Sequence, residues 1–263
     1  MKQVLVVAHP DDEIIFFSSV VKKVDKIIIC FGPSKNDIVS KGRLKVQEQF
    51  LLSNVTWLNL NEASVYNSAN WDHPEITEYG IKVNRNNEIY KQNFDQLCTI
   101  FKKTLEPYDV IYTHNPWGEY GHEEHISVFK AVIHSTSKIH TQKIFVSSYF
   151  SEKTQRLFLK QKHLIGDDIQ RGSIPKILCT SLKKLYIKFN CWTWDDDYQW
   201  PNSEIFLQVN MTYISDPLKR NISTTNPPTM LITRSNKHSF IRNLIFKIIS
   251  RSKKKLKYIL RIR

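Results

Sequence analysis

Residues 4–13, VLVVAHPDDE, join five consecutive apolar residues to a histidine, a proline and three acids. Burying charge is costly unless the charge is paired or holds a metal. The junction therefore has two readings. A buried strand runs into an ordinary helix start, or the strand delivers ligands to a site. His9 precedes a proline, which pushes it out of the helical region, so it stays extended and ends the strand. Pro10 suits a first helical position, and acids in a first turn are favoured by the helix dipole. On these ten residues alone the two readings stand level.

Working outward, short apolar runs at 26–31, 55–60, 109–113 and 143–149 repeat the pattern of 4–8 and read as buried strands. Between them, 14–24, 41–52, 87–105 and 125–137 have helical length and spacing. Strand and helix in alternation predict an α/β fold, a mostly parallel sheet with helices on both faces. Such sheets bind ligands outside the carboxyl ends of their strands, where His9 falls. From about 150 to 187 the pattern reads as mostly helical, 183–207 is rich in aromatics, and Pro227-Pro228 precedes a basic end.

Composition narrows the class. With 263 residues, 41% hydrophobic and 24% charged, the chain is long enough for a full core and reads as globular. It carries no GxGxxG or GxxxxGK[ST] phosphate loop. Its four cysteines lack CxxC spacing, which predicts reduced thiols and a cytoplasmic setting. No signal peptide or spanning apolar run is evident. The net charge is +13, but 234–263 holds eleven Lys/Arg and no acid, which leaves +2 to the rest. The expected organisation is a domain over 1–233 and a basic tail over 234–263, and nucleic acid is not an expected partner of the body.

A second cluster, YTHNPWGEYGHEEHISVFKAV at 112–132, also follows an apolar strand and enters a helix. His122 and His125 are three apart and share a face of the first turn. The two clusters offer His9, Asp12 and His125 as a two-histidine, one-carboxylate set, with His122, Asp11 and Tyr120 nearby. Three protein ligands leave a position open for water, the catalytic arrangement for zinc.

AHPDDE after a first apolar strand, with GEYGHEEH after a later one, resembles the LmbE-like, or PIG-L, family of sugar N-deacetylases over roughly residues 1–150. The resemblance implies a Rossmann-like three-layer fold, Zn2+ or another divalent metal, and removal of an N-acetyl group from an amino sugar. It makes His9, Asp12 and His125 metal ligands and Asp11 the general base. It gives His122 a role toward the tetrahedral intermediate or leaving amine, and Tyr120 one toward the oxyanion. Many members carry an arginine and, three residues on, a glutamate on the second helix. Here Lys45 and Glu48 have that spacing and Arg43 is out of register, so Lys45 is the candidate substrate contact, against a solvated helix face. In CWTWDDDYQW (191–200), Trp194 and Trp200 are candidates to stack on a sugar, against plain packing.

In the tail, Phe240, Ile241, Leu244, Ile245, Ile248 and Ile249 recur at helical spacing among lysines and arginines. That predicts peripheral contact with an anionic membrane at its inner face, against a basic, partly disordered end or a helix docked on the body. RNA is the weaker rival, because no aromatic platform interleaves the basic residues. A non-haem iron oxygenase also uses two His and one carboxylate, but on an all-β fold with HxD spacing. A catalytically inactive carbohydrate- or membrane-surface-binding protein is the alternative outside enzymes. A lipid-linked saccharide, as in polysaccharide biosynthesis, a nucleotide sugar and a small glycoside all remain open as substrate.

Overall fold

The structure, a computed structural model, describes residues 1–136, 141–211 and 227–232. Two compact units are present: a main body, Met1–Thr193 with Trp200–Ile232, and a small second unit that includes Trp194–Gln199. The body runs β1 (Gln3–Val7), α1 (Asp12–Ile15), β2 (Lys26–Phe31), α2 (Asp37–Glu48), β3 (Val55–Leu60), β4 (Ile76–Thr77), β5 (Gly80–Ile81) and α3 (Asn87–Thr104). It continues with β6 (Val110–Thr113), α4 (Glu123–Thr136), β7 (Lys143–Ser147), β8 (Tyr149–Phe150), α5 (Gln155–Gln161), β9 (Ile165–Ser173), α6 (Lys176–Lys188), β10 (Ser203–Val209) and β11 (Met230–Leu231).

Seven strands form one sheet in the order β3-β2-β1-β6-β7-β10-β9. The first five are parallel, and β10 runs antiparallel to both β7 and β9. The mostly parallel α/β sheet expected from the alternating pattern is what forms. Its centre is β1, whose residues are apolar in succession because both faces are covered. Side chains alternate across a strand. Val4, Val6 and Ala8 join a core with Phe94, Leu97, Phe101, Val128 and Val132 of α3 and α4, while Leu5 and Val7 are equally buried. From β1 the chain moves one way to β2 and β3, and later the other way through β6 and β7. Strand order thus reverses between β1 and β6, and the crevice outside their carboxyl ends is the place such sheets use for ligands. Both motif clusters emerge there.

Two expectations are corrected. The helix read over 14–24 stops at Ile15 and gives way to turns. In a continuing helix Ser18 N–H would bond Ile14 O, but Ser18 and Ser19 instead donate their N–H groups to the carboxylate of Glu204 on β10, at 3.1 and 2.8 Å. Ile14 O accepts from Ser18 Oγ and from the Trp200 indole. Tertiary partners outcompete the local ladder. The stretch read as mostly helical over 150–187 contains β9, a nine-residue strand, IGDDIQRGS. As an edge strand it pairs, among the described residues, only with β10, so it can be polar and lacks the apolar run of its neighbours.

All four cysteines are buried thiols outside any disulfide. No helix among the described residues is long and apolar enough to cross a membrane. The basic tail read over 234–263, and the boundary that precedes it, lie outside the described residues.

Candidate active site

The first arm of the site is the passage from β1 into α1. The His9 N–H donates to Asp12 Oδ2 at 2.7 Å, closing a tight loop over Pro10 and Asp11. Asp11 adopts φ 94°, ψ −23°, a left-handed backbone that costs a non-glycine residue on the order of 1–3 kcal/mol. Its N–H is captured by Glu13 Oε2 at 2.9 Å, and Glu13 Oε1 accepts from Tyr186 Oη of α6 at 2.7 Å. Glu13 is therefore a backbone strut. Asp11 and Asp12, consecutive in the turn, send their carboxylates to different partners: Asp12 to the histidines, Asp11 to Thr193.

The second arm is the turn from β6 to α4. Asn115 Oδ1 accepts from the N–H groups of Trp117 and Glu119, and its amide donates to Ser147 O and Tyr149 O, tying the turn to the end of β7. The backbone turns through positive φ at Gly118, Glu119 and Gly121 (71°, 50° and 90°). At Gly121 a Cβ would also collide with the Lys153 side chain. This path lifts Glu119 inward and starts α4 at Glu123, two residues before His125.

Hydrogen bonds fix the tautomers, which decide what the site can hold. His125 Nδ1 lies 2.8 Å from Glu119 Oε2, so Nδ1 carries the proton and Nε2 keeps its lone pair. His9 Nε2 lies 3.0 Å from Glu124 Oε2, which leaves the lone pair on Nδ1. Both nitrogens face Asp12 Oδ2 at 3.3 Å, and the buried His125 Nε2 makes no hydrogen bond among the described residues. Two bare nitrogens and a carboxylate oxygen repel one another unless a cation or a proton stands between them. Zn–N and Zn–O bonds of about 2.0–2.2 Å around a tetrahedral ion place ligand atoms roughly 3.3–3.6 Å apart. The donor set fits a divalent metal in chemistry, and the distance from each nitrogen to Asp12 Oδ2 falls in that range. Without a metal that cation is a proton on His9: although burial opposes it, the hydrogen bonds to Asp12 and Glu124 push the imidazole up to about 10, and a metal at Nδ1 would displace the proton. Burial raises Asp12, yet the surrounding histidines hold it well below the usual carboxylate range.

Donor atoms gather in two overlapping sets, His9–His122–His125 and Asp12–His114–His125, each within 4.8 Å. His114 is disqualified by its own bonds. Its Nε2 accepts the Ala8 N–H at 2.8 Å, and its Nδ1 faces Glu119 Oε2 at 3.2 Å. His122 Nδ1 accepts the Glu124 N–H at 3.2 Å, which puts the proton on Nε2. Its ring stacks on Tyr66 and His125, 4.9 and 4.8 Å between centroids. Burial and the nearby His9 and His125 hold it well below the usual histidine range, so it is a neutral donor. Tyr120 sets its ring edge-on to His125 at 5.4 Å and stacks on Phe16. Burial, with the adjacent charge of Asp12, pushes Asp11 up to about 6, against the hydrogen bonds from Thr193 and the charge of Arg43.

The structure thus brings His9, Asp11, Asp12, Tyr120, His122 and His125 together. It does not bring Lys45, which is exposed with its ammonium 5.9 Å from the Phe189 ring. Two residues earlier on α2, about 200° around the helix, Arg43 is the buried cation. It bonds Gly32 O and Glu62, and Glu62 lies 3.9 Å from His9. The residue out of register in the sequence is the one turned inward. Trp200 spends its indole N–H on Ile14 O, a packing role. Trp194 belongs to the second unit, where it meets Tyr198 edge-on at 6.1 Å. Glu119, Glu124 and Thr193 went unread. An acid close to paired histidines was the available signal for the first two, since ligand histidines are oriented by carboxylates. No sequence signal pointed to Thr193.

Among the solved structures that resemble the chain are two deacetylase complexes. A deacetylase of the teicoplanin biosynthesis pathway, bound to teicoplanin, is 9% identical over 80% of this chain and 98% of its own, with a TM-score of 0.48. A bog complex of a deacetylase from the same pathway gives 10%, 80%, 98% and 0.47. No curated protein sequence matches. The family described as PIG-L: GlcNAc-PI de-N-acetylase matches residues 4–136, half of the 263, and that span contains both arms of the site. The chain belongs to the PIG-L (GlcNAc-PI de-N-acetylase) family.

Proposed function

We propose that the protein is a metal-dependent hydrolase that removes the N-acetyl group from an N-acetylated amino sugar, with zinc as the metal. The observation that carries this is the meeting of His9 Nδ1, Asp12 Oδ2 and His125 Nε2, two imidazole nitrogens turned toward one carboxylate oxygen, with a second carboxylate on the adjacent residue. Zinc held by these three would supply Lewis acidity toward the amide carbonyl and a water acidified toward ~7.

The chain's own residues supply the rest. Asp11 takes a proton from the attacking water as its oxygen adds to the carbonyl carbon. His122, a neutral Nε2–H donor, stabilises the negative charge that develops on the carbonyl oxygen, with Tyr120 beside it. The C–N bond then breaks, the proton held by Asp11 passes to the amine, and acetate and the free amino sugar leave. Glu119 and Glu124 keep His125 and His9 in the tautomers this requires. We place a membrane contact, as part of the same reading, in residues 234–263.

Acetate release from N-acetylglucosamine, a nucleotide-linked N-acetylglucosamine and a lipid-linked N-acetylglucosamine, offered in parallel to the zinc-loaded chain, tests the activity. Asp11→Asn should keep its zinc and lose roughly 10²-fold or more in kcat. No acetate from any of the three, or near-normal turnover in Asp11→Asn, overturns the reading.

A further inference from the structure

The Asp11 carboxylate is gripped from far along the chain. Its Oδ2 accepts two hydrogen bonds from a residue 182 positions later, Thr193 Oγ1 at 2.7 Å and Thr193 N–H at 3.1 Å. Its Oδ1 makes no hydrogen bond among the described residues. Thr193 is exposed, whereas Asp11 is 2% exposed, so a surface residue reaches inward to hold a buried acid. Tyr186, which braces Glu13 and through it the strained Asp11 backbone, comes from the helix just before Thr193. Both lie beyond residue 136, where the family match ends.

We infer that Thr193 is a positioning residue for Asp11, fixing Oδ2 from two directions and leaving Oδ1 to receive the proton of the attacking water. The inference rests on Asp11 being the base. The terminal torsion of an aspartate is a broad, soft rotor, so a carboxylate held by its own Cα–Cβ bond alone samples many planes. Displacement of a reacting group by about 1 Å can cost 10²-fold in rate. Losing one of the two bonds should cost roughly 10-fold.

Four variants of the full chain, zinc-loaded and assayed for acetate release, test this: Thr193→Val, Thr193→Ser, Asp11→Asn and the double Asp11→Asn/Thr193→Val. Because Thr193 is exposed, its replacement leaves the core intact. Thr193→Val, which removes the hydroxyl and keeps the shape, should lower kcat about 10-fold with KM and bound zinc unchanged. Thr193→Ser should restore the rate. The double variant should turn over no more slowly than Asp11→Asn, because the proposed effect of Thr193 on the rate runs through that carboxylate. A second readout does not depend on turnover: crystal structures should show one Asp11 carboxylate orientation in the parent and Thr193→Ser, and a rotated or split one in Thr193→Val. An unaltered Asp11 carboxylate in Thr193→Val, a parental kcat there, or an equal loss in the Asp11→Asn background overturns the inference. Near-normal turnover in Asp11→Asn would instead remove the base, and the positioning role with it.

Discussion

Glu119→Gln is the substitution that most directly probes how the histidines are held. Glu119 Oε2 faces His125 Nδ1 at 2.8 Å and His114 Nδ1 at 3.2 Å, and Oε1 accepts from Asn115 N–H at 3.0 Å and from Ser147 Oγ. Although burial raises it, the two histidines hold the carboxyl down to about 2, so it is ionised. Glutamine keeps the shape and removes the charge. If its NH2 faces His125, Nδ1 must become an acceptor and the proton moves to Nε2, the nitrogen the proposed metal would need. If it is flipped, the NH2 meets the Asn115 N–H, and a buried donor is left without an acceptor, which costs about 1–3 kcal/mol. Loss of a partner that orients a ligand histidine weakens metal binding by 10–100-fold, or about 1.4–2.7 kcal/mol at 1.36 kcal/mol per decade. The assay is a zinc titration against a chromogenic chelator, alongside thermal melting of the metal-free protein. Glu123→Gln is the control, since that buried carboxylate accepts from the N–H groups of Ser68 and Ala69 at 2.8 and 2.9 Å. Its zinc affinity should stay within about twofold of the parent. A folded Glu119→Gln protein with parental zinc affinity would refute the tautomer reasoning.

Two further outcomes are expected. Burial pushes Glu204 up to about 7, even though the Ser18 and Ser19 N–H groups oppose the rise. Folding therefore takes up a proton between its ordinary value of 4.5 and 7, and that stability is full below pH 4.5 and lost as pH rises through 7. Urea unfolding of the metal-free protein at pH 5 and pH 8 should show a fall that Glu204→Gln reduces by roughly 3 kcal/mol; an unchanged fall would rule this out. For residues 234–263, the full chain should sediment with anionic vesicles at low salt and come off at high salt, while a chain ending at Thr233 stays in the supernatant. Binding that survives the truncation would assign the contact elsewhere.

Much of this was legible in the sequence, and what was not has a common cause. The parallel strands could be read because burial on both faces demands continuous apolar runs, as at Val4–Val7 and Ile27–Ile29. The residues that meet at the strand ends could be read because proline, histidine and acid have strong local meaning there. Lys45 was chosen by matching a spacing instead of a helix face; Gly42, Arg43 and Val46 are the inward positions of α2. His114 sits in the quoted second cluster, and no spacing rule reveals that the Ala8 N–H consumes its lone pair. The helix over 14–24 failed for the same reason as Thr193 went unseen, because a partner more than 180 residues away decides the local bond.

The acids show how this site is built. Acidic residues beside histidines invite reading as metal ligands, yet most of the buried glutamates here bind N–H groups. Glu13 takes the Asp11 N–H, Glu123 those of Ser68 and Ala69, Glu124 that of Ala63, and Glu204 those of Ser18 and Ser19. Glu119 takes the Asn115 N–H and the protonated faces of two histidines. A buried carboxylate is costly unless such donors satisfy it, so each one fixes the segment that supplies them. The segments fixed in this way include the strained turn at Asp11 and the loop around Ala63 and Ser68. Once the glutamates are spent on the scaffold, Asp12 is left facing the two histidine nitrogens, and Asp11 is left with Oδ1 unbonded among the described residues. Two adjacent aspartates could not keep separate tasks on a mobile turn. The division between them follows from the glutamates that hold it still.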